Sequence, residues 1–190
     1  MRLWGYRRKG IAANQAEIIV ARGNFHGRTT TIVGFSSDPD SYDGFGPATP
    51  GFRMVNYGSA EDFEAAITPN TCGVLLEPIQ GEAGVRMPPE GYLQKVRGIC
   101  SRKDVLFCLD EIQTGLGRTG KMFCAEHENV RPDLMVLGKA LSGGYYPISA
   151  LVGCEQVLGL FQPGTHGSTF GGNPLACAIG MAALDVIEKE

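Results

Sequence analysis

The sequence predicts an α/β fold in which a mostly parallel sheet carries helices on both faces. Several short apolar runs have the length of strands and show no alternation of polar and apolar residues, which indicates burial on both faces. Helical patterns separate several of these runs, an order that is typical of layered α/β proteins. Glycine- and proline-rich loops follow the strands, where open α/β sheets bind ligands. Nothing divides residues 1–190 into two domains.

The elements are predicted in a regular order along the chain. Residues 1–10 have the pattern of the end of an amphipathic helix, which stops at Gly10. Residues 36–52 are predicted to form a loop, because they are dense in glycine and proline. The strands are predicted at 17–22, 52–57, 72–79, 105–112, 134–138 and 148–153. The later helices are predicted at 59–67, 91–103 and 175–188.

Two of these helices begin with a recognisable local signal. The run Ser59-Ala60-Glu61-Asp62 resembles a capping box. The pair Asn173-Pro174 places a capping side chain directly before a proline at the first helical position. Both signals fix where a helix should start.

The composition is that of an ordinary globular protein. A net charge of −3 and a pI near 5.7 argue against a nucleic-acid platform. No apolar run approaches the length that spans a membrane. The six cysteines are widely spaced, without a CxxC pair, which favours buried free thiols over disulfides or a zinc site. We therefore expect a reducing compartment, with the cytoplasm as the first choice and the mitochondrial matrix as the alternative.

The leading candidate for chemistry is Lys139, which directly follows the apolar run 134–138. At the end of a buried strand its side chain is expected to lie among apolar neighbours, where desolvation disfavours the ammonium form. Only the free base of an amine can form a Schiff base with a carbonyl group. The alternative is a strand-end lysine whose ammonium group extends into solvent.

A second candidate, Asp110, follows five apolar residues and should lie close to the core. A buried carboxylate without a partner costs several kcal/mol, so a cationic partner is expected. Two partners remain open: a salt bridge to a nearby arginine such as Arg118, or the cationic ring nitrogen of a ligand. In the second case a charge-assisted hydrogen bond would contribute about 1.5–3 kcal/mol.

Residues 115–120 spell GxGxxG, the fingerprint of dinucleotide-binding proteins. That fingerprint requires a strand, a glycine turn and a helix in immediate succession. In this chain the five residues 110–114 separate the apolar run 105–109 from the first glycine, and residues 121–132 have no apolar face of helical period. An NAD-binding module is therefore disfavoured, and these glycines are expected to shape a loop beside a ligand.

Three further groups of residues are candidates for ligand binding. The run Phe25-His26-Gly27-Arg28 could pack on a planar ring and bind a carboxylate, although a surface turn with a core phenylalanine would look the same. Glu77 and Glu82 bracket a turn and could act as acids or bind a cation, or the turn could simply be solvated. Ser168-Thr169 lie among glycines, which is the composition of an anion-binding loop. This loop lacks the lysine of a P-loop, so nucleotide hydrolysis is disfavoured.

Together, the acid at one strand end, the lysine at another and the hydroxyl–glycine loop resemble a pyridoxal 5′-phosphate (PLP) enzyme. The pattern resembles the class III (ω-) aminotransferases of fold type I, whose large domain would contain this chain. The resemblance covers nearly the whole sequence, and within the class it is strongest to ornithine-type enzymes. The segments that carry it are SYDGFGP, LLEPIQGEAGV, DEIQTGLGRTG, LGKALSGG and HGSTFGGNP.

The resemblance implies roles around the cofactor. Lys139 would bind PLP covalently and then carry the proton between the substrate and the cofactor. Asp110 would pair with the pyridinium nitrogen and make the ring an electron sink. Gln113 would form a hydrogen bond near the phenolic oxygen of PLP, and Phe25 would stack on its ring.

The remaining implied roles concern the substrate and a second subunit. Arg28 would hold the α-carboxylate of ornithine. Glu82 would bind a second arginine until the 2-oxoglutarate half-reaction needs that arginine, and Glu77 would be a supporting acid. Ser168 and Thr169 would reach the phosphate group bound by the partner subunit, which implies a homodimer with shared active sites.

The implied reaction transfers the δ-amino group of L-ornithine to 2-oxoglutarate and gives glutamate 5-semialdehyde and glutamate. The run Gly-Glu-Ala-Gly around Glu82 favours this reaction over those of the acetylornithine and 4-aminobutyrate enzymes, where a second glycine commonly replaces Ala83. Those enzymes are the alternative. The family's N-terminal phosphate loop and C-terminal domain have no counterpart in residues 1–190. We therefore expect a central fragment of the PLP-binding large domain, with little or no activity by itself.

Overall fold

Six strands form one sheet at the centre of the computed structural model, which describes residues 1–189. The strands are β1 (Glu17–Ala21), β2 (Phe52–Val55), β3 (Thr71–Leu76), β4 (Leu106–Asp110), β5 (Leu134–Leu137) and β6 (Ala150–Gly153). Their order across the sheet is β2-β1-β3-β4-β5-β6. Strands β1 to β5 are parallel to their neighbours, and β6 pairs antiparallel with β5. The mostly parallel sheet predicted from the sequence is confirmed.

Helices connect most of the strands. They are α1 (Arg2–Arg7), α2 (Thr30–Val33), α3 (Pro39–Tyr42), α4 (Ala60–Ala66), α5 (Tyr92–Arg102), α6 (Glu155–Leu158) and α7 (Pro174–Lys189), with short 3-10 helices at Cys124–Glu128 and Lys139–Ser142. Both predicted caps are confirmed. The backbone N–H of Asp62 donates to Ser59 Oγ over 3.1 Å, and that of Ala176 donates to Asn173 Oδ1 over 2.9 Å.

The segment 36–52 is the clearest error in the predicted elements, because it contains α3 as well as loop. Asp38 caps this short helix, since its Oδ1 accepts a hydrogen bond from the backbone N–H of Asp40 at 3.2 Å. Pro39 occupies the first helical position, which suits its fixed φ angle. A capping signal inside a glycine- and proline-rich segment was overlooked.

Neighbouring residues of the central strands alternate between two apolar cores, one on each face of the sheet, and Met135 and Leu137 of β5 belong to a third, smaller cluster. Ile19 belongs to the core that α4 and α5 cover, where it joins Phe63. Val20 belongs to the opposite core, together with Trp4 of α1 and Val157 of α6. The predicted helices on both faces are therefore confirmed, and the central strands β1, β3 and β4 are buried on both faces.

The cysteines only partly follow the prediction of buried free thiols. All six are free, and four of them are buried: Cys72, Cys100, Cys108 and Cys124. Burial raises the pKa of the Cys100 and Cys108 thiols to about 12, so these thiols stay protonated. Cys154 and Cys177 are exposed, because β6 and α7 have no further layer of this chain outside them.

The parallel arrangement brings the carboxyl ends of β1, β3, β4 and β5 to one edge of the sheet. The loops that follow these strands carry most of the candidate residues. Within residues 1–189, no helix is long and apolar enough to cross a membrane, and no cluster of three or more His, Cys, Asp or Glu side chains could hold a metal ion.

Candidate active site

A cleft of about 110 Å³ lies at this carboxyl edge of the sheet. It unites six of the residues predicted from the sequence, and five others complete its lining. The predicted residues are Phe25, Glu77, Glu82, Asp110, Gln113 and Lys139, and the others are His26, Gly27, Ile79, Ile112 and Thr114.

Asp110 ends β4 at the floor of the cleft and is 6% exposed. Its Oδ2 lies 2.7 Å from Nδ1 of His26, and its Oδ1 accepts a hydrogen bond from the backbone N–H of Ile112 at 3.0 Å. A carboxylate can only accept, so His26 donates through Nδ1–H. The partner considered from the sequence, Arg118, is exposed and is not the ion-pair partner of Asp110 in residues 1–189. That alternative was wrong, because the loop after β4 leads Arg118 away from the floor.

His26 is the residue that sequence reasoning undervalued. Its side chain is 3% exposed, and its Nε2 is buried without a hydrogen-bond partner in residues 1–189. Nothing in the local sequence links it to Asp110. The signal lies in the topology: His26 follows β1 and Asp110 ends β4, and only β3 separates these two strands in the sheet.

The turn after β1 holds the segment that carries His26. Asn24 is buried, and its Nδ2 donates to the carbonyl oxygens of Ala21 at 2.6 Å and Phe35 at 3.2 Å. Gly23 has a φ of +76°, and its N–H donates to Ser37 Oγ over 2.7 Å. This turn therefore delivers the segment to the cleft in one fixed orientation.

Glu77 follows β3 and is 7% exposed. Its Oε1 accepts a hydrogen bond from the backbone N–H of Phe25 at 2.9 Å, which ties the loop after β1 to the end of β3. Burial raises the pKa of the Glu77 carboxyl to about 7, although the Phe25 hydrogen bond and the nearby His26 oppose this shift. Glu77 therefore belongs to the buried floor, together with Asp110 and His26.

Lys139 lies at the mouth of the cleft. The chain turns sharply after β5 into a 3-10 helix, and Lys139 itself has a φ of +43°. Its side chain is 49% exposed, and its Nζ lies 3.8 Å from Oε1 of Glu82, whose side chain is 52% exposed. The expected enclosure among apolar neighbours was wrong for this chain, because the turn directs the lysine out of the core.

Glu82 also contacts Gln113, whose Nε2 donates to the same Oε1 over 3.4 Å. One carboxylate oxygen therefore faces both the amine of Lys139 and the amide of Gln113. These three groups come from the loops after β3, β4 and β5. The mouth is thus a meeting point of side chains from three loops.

The other predicted binding residues lie outside the cleft lining. Arg28 is exposed, and its guanidinium carbon lies 5.7 Å from the centre of the Phe25 ring. Ser168 and Thr169 lie on an exposed loop before α7. The cleft is therefore lined by an aromatic ring, buried acids and an amine. The side chains of Arg28, Ser168 and Thr169 lie in solvent outside it.

The glycine-rich loop 115–120 opens no α-helix, so the dinucleotide-binding alternative was correctly disfavoured. The loop folds around Glu111, which is 1% exposed. The Glu111 carboxylate accepts hydrogen bonds from Thr114 Oγ1 at 2.6 Å and from the backbone N–H groups of Cys124 at 3.0 Å and Ala125 at 2.9 Å. This structural role of Glu111 was not predicted, although an acid directly after Asp110 at a buried strand end is a visible signal in the sequence.

The chain as a whole, residues 1–190, matches the sequence model of the family described as Aminotransferase class-III. The chain belongs to the class-III aminotransferase family. It is 58% identical over 189 residues to an ornithine aminotransferase of Oceanobacillus iheyensis, an alignment that covers 100% of this chain and 48% of that protein. This class-III chain thus spans about half the length of the curated relatives it matches.

Solved structures give the same assignment for the fold of this class-III chain. An ornithine aminotransferase of Toxoplasma gondii, described with partial occupancy of PLP at its active site, has a TM-score of 0.97 and 47% identity, covering 98% of this chain and 44% of that one. An acetylornithine aminotransferase of Elizabethkingia anophelis has a TM-score of 0.82 and 44% identity, covering 98% and 43%. The fold is therefore that of a partial aminotransferase domain.

The cleft has the chemistry that a planar cofactor with a cationic ring nitrogen requires. A buried carboxylate, Asp110, stands at the floor, and His26 already holds it in one orientation. The Phe25 ring supplies an aromatic wall, and the Lys139 amine stands at the mouth. The residues present therefore fit such a group.

Proposed function

We propose that this chain is the central part of the PLP-binding large domain of a longer ornithine δ-aminotransferase. The observation that carries the proposal is the convergence of Asp110, Phe25 and Lys139 in one cleft, although Asp110 ends β4 and the other two follow β1 and β5. The family membership and the 58% identity to an ornithine aminotransferase support it. PLP would supply an electrophilic carbon and an electron-withdrawing ring.

Asp110 would hold the protonated ring nitrogen of PLP. It is buried and keeps both carboxylate oxygens in hydrogen bonds, so its orientation does not have to be fixed when the cofactor binds. A charge-assisted hydrogen bond to a cationic ring would offset much of the desolvation of this carboxylate. Phe25 would cover one face of the ring, and the Glu77 contact would keep its backbone in place.

Lys139 would be the residue that binds PLP covalently and moves the proton at the substrate carbon. Its exposure at the mouth makes the amine accessible to a ligand, and Oε1 of Glu82 lies 3.8 Å from it. Gln113 would place its amide beside the phenolic oxygen of PLP. The three side chains are already in contact through Glu82 Oε1, which supports a shared task.

The proposed substrates are L-ornithine and 2-oxoglutarate, which would give glutamate 5-semialdehyde and glutamate. Arg28 would bind the α-carboxylate of ornithine, since its guanidinium group is exposed and lies against Phe25 of the cleft. Glu82 would hold a second arginine outside this chain until 2-oxoglutarate binds. A reaction with acetylornithine or 4-aminobutyrate is the alternative, and the similarity to the Elizabethkingia anophelis enzyme keeps it open.

We also propose a homodimer in which Ser168 and Thr169 reach the phosphate of PLP in the partner subunit. The exposed loop that carries both hydroxyls supports this assignment, as do the exposed Phe170 and Leu175 beside it. Large apolar side chains exposed together are typical of surfaces that bind another protein. The free thiols of the chain support a reducing compartment, the cytoplasm or the mitochondrial matrix.

A cofactor titration of the complete polypeptide tests the proposal. Unsubstituted protein should give the visible absorption band of PLP bound to a lysine, and Lys139→Ala should abolish that band. Lys121→Ala, at an exposed lysine outside the cleft, is the matched control and should keep it. Binding of NADH without any PLP band would contradict the proposal. Turnover of ornithine against N-acetylornithine separates the proposed substrate from its alternative.

A further inference from the structure

Gly81 lies beside Gln113 in a way that its backbone conformation does not explain. Its φ is outside the left-handed region that favours glycine, so an alanine could adopt the same backbone. A Cβ atom at this position would lie only 1.3 Å from Oε1 and 2.5 Å from Cδ of Gln113. The space that a methyl group would need is therefore already filled by the Gln113 amide.

The backbone around Gly81 has little freedom to move away. Gln80 and Arg86 exchange two backbone hydrogen bonds, at 3.1 and 2.9 Å. The Gly81 carbonyl oxygen accepts from the N–H groups of Gly84 and Val85, both at 3.1 Å. The Gln80 side chain is fully buried and donates to the carbonyl oxygen of Arg22 over 2.8 Å. A methyl group at position 81 would thus displace the Gln113 amide rather than the loop.

Gly81 differs from a purely structural glycine in the kind of atom that an added Cβ would meet, a flexible side chain instead of the backbone. Gly153 of β6 illustrates the second kind, because its added Cβ would lie 2.7 Å from the backbone carbonyl oxygen of Asp133 and 2.5 Å from the Leu134 side chain. A substitution there pushes on the sheet. At Gly81 the three nearest atoms all belong to the flexible end of Gln113.

We propose that Gly81 is a positioning residue for Gln113: its missing side chain lets the amide lie across the loop after β3 and reach the mouth of the cleft. In this place Gln113 Nε2 is 3.4 Å from Glu82 Oε1, which in turn is 3.8 Å from Lys139 Nζ. The amide is then fixed to donate to an anionic oxygen of a ligand that reacts with Lys139. This inference rests on the proposed function, in which that oxygen is the phenolic oxygen of PLP.

The test uses Gly81→Ala, Gln113→Ala and the double variant of the complete polypeptide. Gly98→Ala is the control, because a Cβ at this helical glycine meets only Arg102 at an ordinary 3.5 Å. Loss of one hydrogen bond weakens PLP binding by about tenfold, which is the effect expected for Gly81→Ala and for Gln113→Ala. If Gly81 acts through Gln113, the double variant is no weaker than Gln113→Ala alone. The Gly81→Ala apoprotein keeps the unfolding midpoint of the unsubstituted protein, whereas Gly98→Ala keeps or raises it, because alanine is more favourable than glycine inside a helix.

Three results would overturn the inference. The first is a double variant whose losses multiply, and the second is a Gly81→Ala apoprotein that unfolds much earlier than the unsubstituted apoprotein. The third is a crystal structure of the Gly81→Ala apoprotein in which the Gln113 amide still lies within hydrogen-bonding distance of Glu82. The crystal structure of the apoprotein needs no cofactor, so it tests the placement of Gln113 independently of PLP binding. If the unsubstituted protein fails to bind PLP, that result counts against the proposed function and not against the placement of Gln113.

Discussion

At the floor of the cleft the ionisable groups are buried and closely paired, whereas at its mouth they are half exposed and loosely paired. Asp110 and His26 are 2.7 Å apart, with side chains 7% and 3% exposed. Lys139 and Glu82 are 3.8 Å apart, with side chains 49% and 52% exposed. Asp110 is the last residue of β4, whereas Lys139 and Glu82 both lie beyond the strand ends, so the contrast follows the depth of each pair relative to the sheet.

This difference separates two tasks within one site. Under the proposed function the floor would orient the ligand, because neighbouring parallel strands and their loops hold Asp110, His26 and Glu77 before anything binds. The mouth would carry the reacting amine, which has to remain reachable and able to exchange partners. Substitutions at the floor should therefore affect both folding and binding, while substitutions at the mouth should affect chemistry with little change in the free energy of unfolding.

The largest effect is expected for Lys139→Ala. If Lys139 moves the proton at the substrate carbon, as proposed, its loss should lower kcat for ornithine by at least about 10³-fold, because general acid–base catalysis contributes about 10²–10⁴-fold. The half-exposed side chain should change the free energy of unfolding by less than about 0.5 kcal/mol. Steady-state kinetics and urea denaturation of the complete polypeptide measure the two effects. A large loss of unfolding free energy in Lys139→Ala would show that the mouth of the cleft contributes to folding, contrary to this expectation.

Asp110→Ala should be the most destabilising change in the cleft. It leaves the buried Nδ1–H of His26 and the backbone N–H of Ile112 without their acceptor, which should cost about 3 kcal/mol of unfolding free energy. PLP binding should be lost as well. Urea denaturation of the apoprotein gives the first quantity and a fluorescence titration gives the second. A variant that is as stable as Glu82→Ala would erase the contrast between floor and mouth.

Glu77→Gln should change how stability depends on pH. The pKa of Glu77 is raised from 4.5 to about 7 in the folded protein, so the stability linked to its proton is complete below pH 4.5 and is lost as the pH rises to 7. The loss is on the order of 3 kcal/mol, and glutamine avoids it while its amide oxygen can still accept the Phe25 N–H. Unfolding measured at pH 5 and pH 8 compares the variant with Glu90→Gln, an exposed control. Equal pH dependence in all three proteins would place Glu77 in solvent.

The smallest effect is expected for the free energy of unfolding of Glu82→Gln. A half-exposed ion pair at 3.8 Å contributes less than about 1 kcal/mol, and salt screens part of it. Urea denaturation at low and high ionic strength should therefore give almost the same value for the variant and for the unsubstituted protein. A loss comparable to that of Asp110→Ala would mean that Glu82 is part of the floor.

The sequence was most informative where a chemical group interrupts an apolar run. Asp110 and Lys139 could be singled out because one ends an apolar run and the other directly follows one, and the parallel order of the strands brings both to the same edge of the sheet. The helices after Ser59 and Asn173 could be predicted because their caps are local.

The features that could not be predicted are contacts between distant parts of the chain and one unusual backbone turn. The pairing of His26 with Asp110 requires β1 and β4 to lie on either side of β3, which no local pattern encodes. The exposure of Lys139 follows from a backbone turn with a φ of +43°, which propensity alone does not predict for lysine. The contact of Gly81 with Gln113 likewise joins two loops whose approach is set by strand packing.

The site of cofactor attachment is the most direct test of the division between floor and mouth. The complete polypeptide is loaded with PLP, reduced with borohydride, digested and mapped by mass spectrometry. A pyridoxyl group on Lys139 is the predicted result, with the label lost in Lys139→Ala and retained in Lys121→Ala. A label on another lysine, or a PLP band that borohydride does not fix to the chain, would contradict it.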